Sequence, residues 1–223
     1  MKIVTYLHHI NELERLDSSV VNEVILSSKE LSRLSLFSKD EIVRAAHELN
    51  RKKIHAVLEW DILSTEEEFQ SAKSFFTSLP LELFSSVRLQ DPGVIHFVKK
   101  HYPWLKVQLV LETANHNLIS CLTWKNYLGD QLQRVVLSLE LSREHLKTFV
   151  EKLAISCEVM ALGPILLFYS PRKLLSARRP DEKLVDDKLK AWATSEESPH
   201  SGFFVEENKF GTFMLNTKDH CLL

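Results

Sequence analysis

Glycine is scarce: five in 223 residues, none of them in a G-x-G-x-x-G or G-x-x-x-x-G-K-[ST] run. Without a glycine-rich turn after a strand, the backbone has no cradle for a pyrophosphate. A dinucleotide-binding or P-loop fold therefore has little support. Cysteine is scarcer still. Cys121, Cys157 and Cys221 are widely spaced, odd in number and form no C-x-x-C pair, so the expectation is a reduced, cytoplasmic chain without a disulfide framework. No run of about 18 apolar residues occurs, and no membrane span is expected. The first six residues form a strand pattern, too short for a signal-peptide core. Neither sign of charge dominates: 28 Lys and Arg face 30 Asp and Glu, a net charge of −2. No basic excess advertises nucleic-acid binding, although a local basic patch remains compatible with it. No Ser–His–Asp, Cys–His or H-E-x-x-H arrangement is visible, so hydrolysis has no nameable nucleophile or zinc site.

What the chain does have is one repeated unit. Residues 86–100 show it best: Val87 and Leu89 mark a buried strand, Asp91 can cap the next helix, Pro92 suits its first position, and Val94, Ile95, Phe97 and Val98 form its apolar face. The same strand–cap–helix pattern recurs at strand 2–7 with helix 10–16, 23–28 with 39–49, 53–60 with 65–79, 106–112 with 117–128, and 133–140 with 142–153. A seventh strand follows at 156–162. Ser38, Ser142 and the 64–68 run S-T-E-E-E supply further cap chemistry. Short apolar strands alternating with amphipathic helices predict a parallel α/β sheet, better fitted to a (β/α)8 TIM-barrel-like fold than to an open doubly wound one.

Past the seventh strand the texture changes. Residues 163–176 are apolar and punctuated by proline, and 178–201 are polar with one predicted helix at 183–193. Residues 203–207 and 211–216 read as a hairpin. The expected organisation is barrel units at 1–176, a polar surface excursion at 177–202, and at 203–223 a hairpin with the start of a further unit. Because the chain ends early, the barrel is expected to be incomplete or open, with a gap beside the first strand or closure there by 211–216 or a second chain.

Four stretches resemble motifs of the collagenase-like peptidase family, peptidase family U32. The 87–94 run VRLQDPGV is similar to V-x-x-Q-D-x-G-V. The 134–142 run RVVLSLELS is similar to R-V-V-L-x-R-E-L-S, with Leu139 at the usual Arg. Residues 159–176 resemble V-H-G-x-L-C-x-x-Y-S-G-R-C-L-L-S, and 211–223 resemble G-x-x-x-x-N-S-K-D-L-C-L-L. The resemblance implies a peptidase, a hydrolase. In better understood relatives it also implies an iron–sulfur cluster used in RNA or quinone hydroxylation. Here, however, Leu162 stands at the family's His, and Leu166 and Lys173 stand at two of its cysteines. No cofactor is therefore expected, since such a cluster needs about four thiolates. The resemblance leaves two functions open: a peptidase, or a non-catalytic scaffold or substrate-binding partner of an RNA- or quinone-hydroxylation system. A second family chain or a homodimer is the expected partner, with peptide or RNA as the substrate.

Candidate site residues follow from barrel logic, in which strand carboxyl ends line the mouth. His8, Ser27, Ser28, Glu59, Asp61, Gln90, Asp91, Glu112, Asn115, His116 and Glu140 fall there. Glu59, Glu112 and Glu140 each end an apolar strand, and three acids around one pocket suit acid–base work or cation binding. The competing structural reading is that they cap helices or pair with Arg and Lys. Gln90, Asp91 and His116 are binding candidates, although a helix cap explains Asp91 as well. Tyr169, Ser170, Arg172, Lys218 and Asp219 come from the family motifs, where packing or an ion pair explains them equally. His8, His9 and His116 lack a readable second shell, and no metal is assigned.

Overall fold

The computed structural model describes residues 1–35, 37–111, 117–178, 188–195 and 198–222. They form two compact units, Met1–Glu158 and Val159–Leu223.

The first unit is a seven-stranded sheet: β1 (Val4–Tyr6), β2 (Glu23–Ser27), β3 (His55–Trp60), β4 (Ser86–Leu89), β5 (Lys106–Val110), β6 (Leu132–Val136) and β7 (Ser156–Glu158). The strands lie in chain order and every neighbouring pair is parallel. Between them run α1 (Lys39–Arg51), α2 (Glu66–Thr77), α3 (Pro92–His101), α4 (Leu118–Leu128) and α5 (Arg143–Leu153). Each helix starts where the sequence offers a short polar acceptor. Ser38, Thr65, Asp91, Asn117 and Ser142 accept from backbone N–H groups of the first turn, and Glu41 and Glu68 complete capping boxes.

One face of this sheet is apolar. Val24, Leu26, Ala56, Leu58, Trp60, Val87, Leu89, Val107, Leu109 and Val135 are buried there. Trp60 anchors an aromatic cluster, 5.1 Å from Phe76 and 6.5 Å from Phe97 between ring centroids. The opposite face departs from the apolar habit of parallel sheets. Register places Ser27, Glu59, Arg88, Gln108 and Arg134 side by side on five successive strands, and all five are buried. Glu23 on β2 accepts from Arg134 on β6 at 2.6 Å. On a flat sheet those strands stand about 19 Å apart, so the contact requires the sheet to curl with its polar row inside. The predicted barrel-like parallel fold is thus present. Among the described residues β1 is hydrogen-bonded to β2 alone. The 211–216 stretch, one of the expected closures, lies in another sheet.

The second unit is a four-stranded antiparallel sheet ordered β8 (Leu162–Ser170), β11 (Gly211–Cys221), β10 (Ser198–Asn208), β9 (Leu189–Ser195), with a short helix α6 (Leu174–Arg178). The predicted hairpin is found, longer than expected. The predicted 156–162 strand is not continuous: β7 stops at Glu158, and Leu162 already pairs with Cys221. The helix expected at 183–193 is corrected where it can be followed. Residues 183–187 lie outside the described residues, and 189–193 are strand. Leu189, Ala191 and Ala193 turn inward while Lys190 and Trp192 are exposed, a period of two that pairs onto β10. Gly211, at φ +125°, is required: a Cβ there would lie 2.1 Å from the Ser170 carbonyl oxygen.

Candidate functional site at the carboxyl end of the parallel sheet

Glu59 is the centre of the rim. It closes β3 on the inner face and is 5% exposed. Three hydroxyls from neighbouring elements point at it. Tyr6 on β1 donates to Oε1 at 2.7 Å, and Ser27 on β2 and Ser32 beyond it donate to Oε2 at 2.7 and 3.2 Å. Burial, and secondarily the nearby Asp61 charge, push the Glu59 carboxyl up to about 7. Burial and the Glu59 charge likewise raise the Tyr6 phenol well above its ordinary value, so Tyr6 stays a hydrogen-bond donor. The residue as a whole is nonetheless 41% exposed, with its hydroxyl turned inward onto Glu59. Two residues on, Asp61 receives both the backbone N–H and Nε of Arg33 at 2.8 Å, and Gln90 donates to the Asp61 carbonyl.

Beneath the rim the inner face carries a closed ring of five side chains. Arg134 donates to Glu23 at 2.6 Å and to Glu158 at 2.7 Å. Arg88 donates to both oxygens of Glu158, at 2.8 and 2.9 Å, and to Gln108 at 3.0 Å. Gln108 donates to the second oxygen of Glu23 at 2.9 Å, closing the circuit. Burial alone would raise the Glu23 carboxyl, but the Arg134 hydrogen bond and charge outweigh it and hold the group below its ordinary value. Arg88 is raised despite its burial, with the charge and hydrogen bonds of the Glu158 carboxylate among the causes. The ring supplies buried charges with the fixed partners they need.

The predicted site residues scatter. Glu59, Gln90 and Asp91 lie at the carboxyl ends of β3 and β4. Asp91 serves the cap, accepting from the Val94 N–H at 3.0 Å. Glu140 is exposed, and its N–H is bonded to the Ser138 hydroxyl. Glu112, Asn115 and His116 lie outside the described residues, so the proposed triad of acids is represented by Glu59 and Glu140 alone. Tyr169, Ser170, Arg172, Lys218 and Asp219 belong to the second unit. Tyr169 donates to the Phe210 carbonyl at 3.0 Å and stacks on Phe213. Ser170 accepts from the Arg172 N–H, and Arg172, Lys218 and Asp219 are exposed. Sequence reasoning missed Tyr6, Ser32, Arg33 and the whole ring. A signal for the ring was present: Arg88, Gln108 and Arg134 each interrupt an apolar strand at the inward position.

Among the described residues no group of three or more His, Cys, Asp or Glu could hold a metal. The iron–sulfur cluster implied by the family resemblance does not fit this donor set. Cys121 is buried in α4 with its thiol pushed up to about 11 by burial, Cys157 is half-buried on β7 and likewise raised, and Cys221 is exposed on β11. Leu166 lies on β8, and Lys173 is an exposed residue just before α6. Three cysteines, two of them held as thiols, fall short of four thiolate ligands. No helix among the described residues is long and apolar enough to cross a membrane.

A sequential parallel sheet that curls around buried side chains, with helices outside and polar groups gathered at its carboxyl rim, defines a TIM-barrel-like α/β protein. The model of peptidase family U32 matches residues 10–223, and the chain belongs to that family. A solved U32 peptidase, Mk0906, shares the fold with a TM-score of 0.56 at 10% identity, over 72% of this chain and 69% of that one. Among curated proteins, tRNA hydroxylation protein P of Escherichia coli (strain K12) is 32% identical over 89 residues. That match covers 40% of this chain and 19% of the relative's length.

Proposed function

We propose that this chain is a substrate-binding member of an RNA-hydroxylation system and does not hydrolyse peptides. The observation that carries this reading is the commitment of the inner-face carboxylates. Both oxygens of Glu59 are taken by hydroxyls, Asp61 is engaged by Arg33, and Glu23 and Glu158 are engaged by Arg134 and Arg88. None of these groups is free to activate a water for attack on an amide. Among the described residues the rim also offers the Gln90 amide and the exposed Tyr6 and His8 side chains, which suit binding. Of the two hydroxylation readings, RNA is supported over quinone by the printed name of the curated relative.

One observation favours the peptidase reading instead: a carboxyl near 7 is tuned for acid–base work. Two assays separate the readings. Affinity capture of the chain from its native cell should recover tRNA together with a second U32-family chain or a second copy. Cleavage of gelatin by the isolated chain, abolished by Glu59→Gln, would overturn the binding reading.

A further inference from the structure

Two exposed aromatic side chains, Tyr6 and His8, stand at the carboxyl end of β1. Tyr6 is 41% exposed and His8 is exposed, yet the Tyr6 side chain and the His8 backbone are both held. The Tyr6 hydroxyl is tied to buried Glu59 at 2.7 Å. The backbone carrying His8 is fixed because the N–H groups of His8 and His9 both donate to Glu12, at 2.9 and 3.2 Å. The two rings are nearly parallel, 16° between planes, with centroids 6.2 Å apart. Exposed, pre-oriented and parallel rings are what an unpaired nucleobase stacks on.

The surroundings suit the same ligand. Near this rim Gln90, half-buried, carries a side-chain amide that donates to the Asp61 carbonyl, and its amide oxygen is the kind of acceptor that reads a base edge. Lys29, two residues past Ser27, is exposed and can face a phosphate. The position is also the carboxyl rim, where barrel folds bind their ligands.

We propose that Tyr6 and His8 form a stacking platform for one unpaired nucleobase of the RNA substrate. This rests on the RNA reading above and adds a location and a mode of contact to it. The alternative role of these rings is cover for the polar rim, which would leave RNA affinity independent of them.

The test is binding of an unmodified tRNA transcript at fixed salt by the wild-type chain and by His8→Ala, Tyr6→Ala and Tyr6→Phe, with circular dichroism as the check on folding. Loss of one stacked contact weakens binding by roughly five- to a hundredfold. His8→Ala and Tyr6→Ala should each show such a loss, while Tyr6→Phe, which keeps the ring and drops the Glu59 bond, should stay within about threefold of wild type. His8 is exposed, so His8→Ala keeps the test valid even where Tyr6→Ala unfolds. Wild-type binding with His8→Ala and Tyr6→Phe both unchanged and Tyr6→Ala, where folded, also unchanged overturns the platform and leaves the RNA reading intact. No binding of the transcript by the wild-type chain overturns both.

Discussion

Glu23 on β2 and Arg134 on β6 meet at 2.6 Å, although 111 residues separate them in the chain. The contact holds the curl of the sheet, and it does so with charge where most parallel sheets use aliphatic packing. Both groups are nearly inaccessible, 2% and 6% exposed at the side chain, so each depends on the other for compensation.

Removing one partner should therefore cost far more than removing both. Arg134→Met leaves Glu23 and Glu158 short of a cation and should destabilise the protein by about 3–5 kcal/mol. The double variant Glu23→Gln/Arg134→Met should recover part of that loss, a coupling measurable by urea unfolding. A single variant costing under about 1 kcal/mol would mean that the ring does not hold the sheet.

Glu59 gives a pH dependence of the unusual sign. Its folded value is about 7 against an ordinary 4.5, so the native state keeps a proton that the unfolded chain has released. Stability from this group is fully present below about 4.5 and is lost as pH rises toward 7. Glu59→Gln should be more stable than wild type at pH 8 by up to about 3 kcal/mol, with the gap closing near pH 4.5. Glu23, held below its ordinary value, acts the other way: its contribution is present above the ordinary carboxylate range and is lost on acidification. Thermal unfolding of wild type, Glu59→Gln and Glu23→Gln across pH 4–8 separates the two.

Asp91 offers a control. Its carboxylate caps α3, and Asp91→Ala should cost about 1 kcal/mol of stability with no change in RNA affinity. A loss of affinity at unchanged stability would move Asp91 from the scaffold to the binding surface.

Gly211→Ala should damage the second unit, because the new Cβ would meet the Ser170 carbonyl at 2.1 Å in a backbone conformation that disfavours side chains. Limited proteolysis of the full chain should cut first within 159–223. A cleavage pattern identical to wild type would refute the assigned strain.

The parallel sheet was legible because its signals are local. An apolar strand, a capping side chain and an amphipathic helix all fall within a short stretch, as at Val87, Asp91 and Val94. The ring was hard to see because its members are far apart: Glu23, Arg88, Gln108, Arg134 and Glu158 become neighbours only once the register and the curl are known. Glu59 and Ser27 are legible by their places at strand ends, but the other two hydroxyl partners are not, since Tyr6 and Ser32 carry no spacing signature. Residues 189–193 were misread because Leu, Ala and Lys favour helix by propensity. Pairing with β10 decided for strand, and tertiary partners are invisible to propensity.

Binding of RNA at the carboxyl rim is measured by ultraviolet cross-linking in the native cell. Cross-linked RNA would be sequenced and the attached peptide identified by mass spectrometry. The expected result is tRNA, joined to a peptide from the start of the chain that contains Tyr6 and His8; no RNA above background would contradict RNA binding at the rim. Gelatin cleavage that Glu59→Gln abolishes would contradict the binding reading as well.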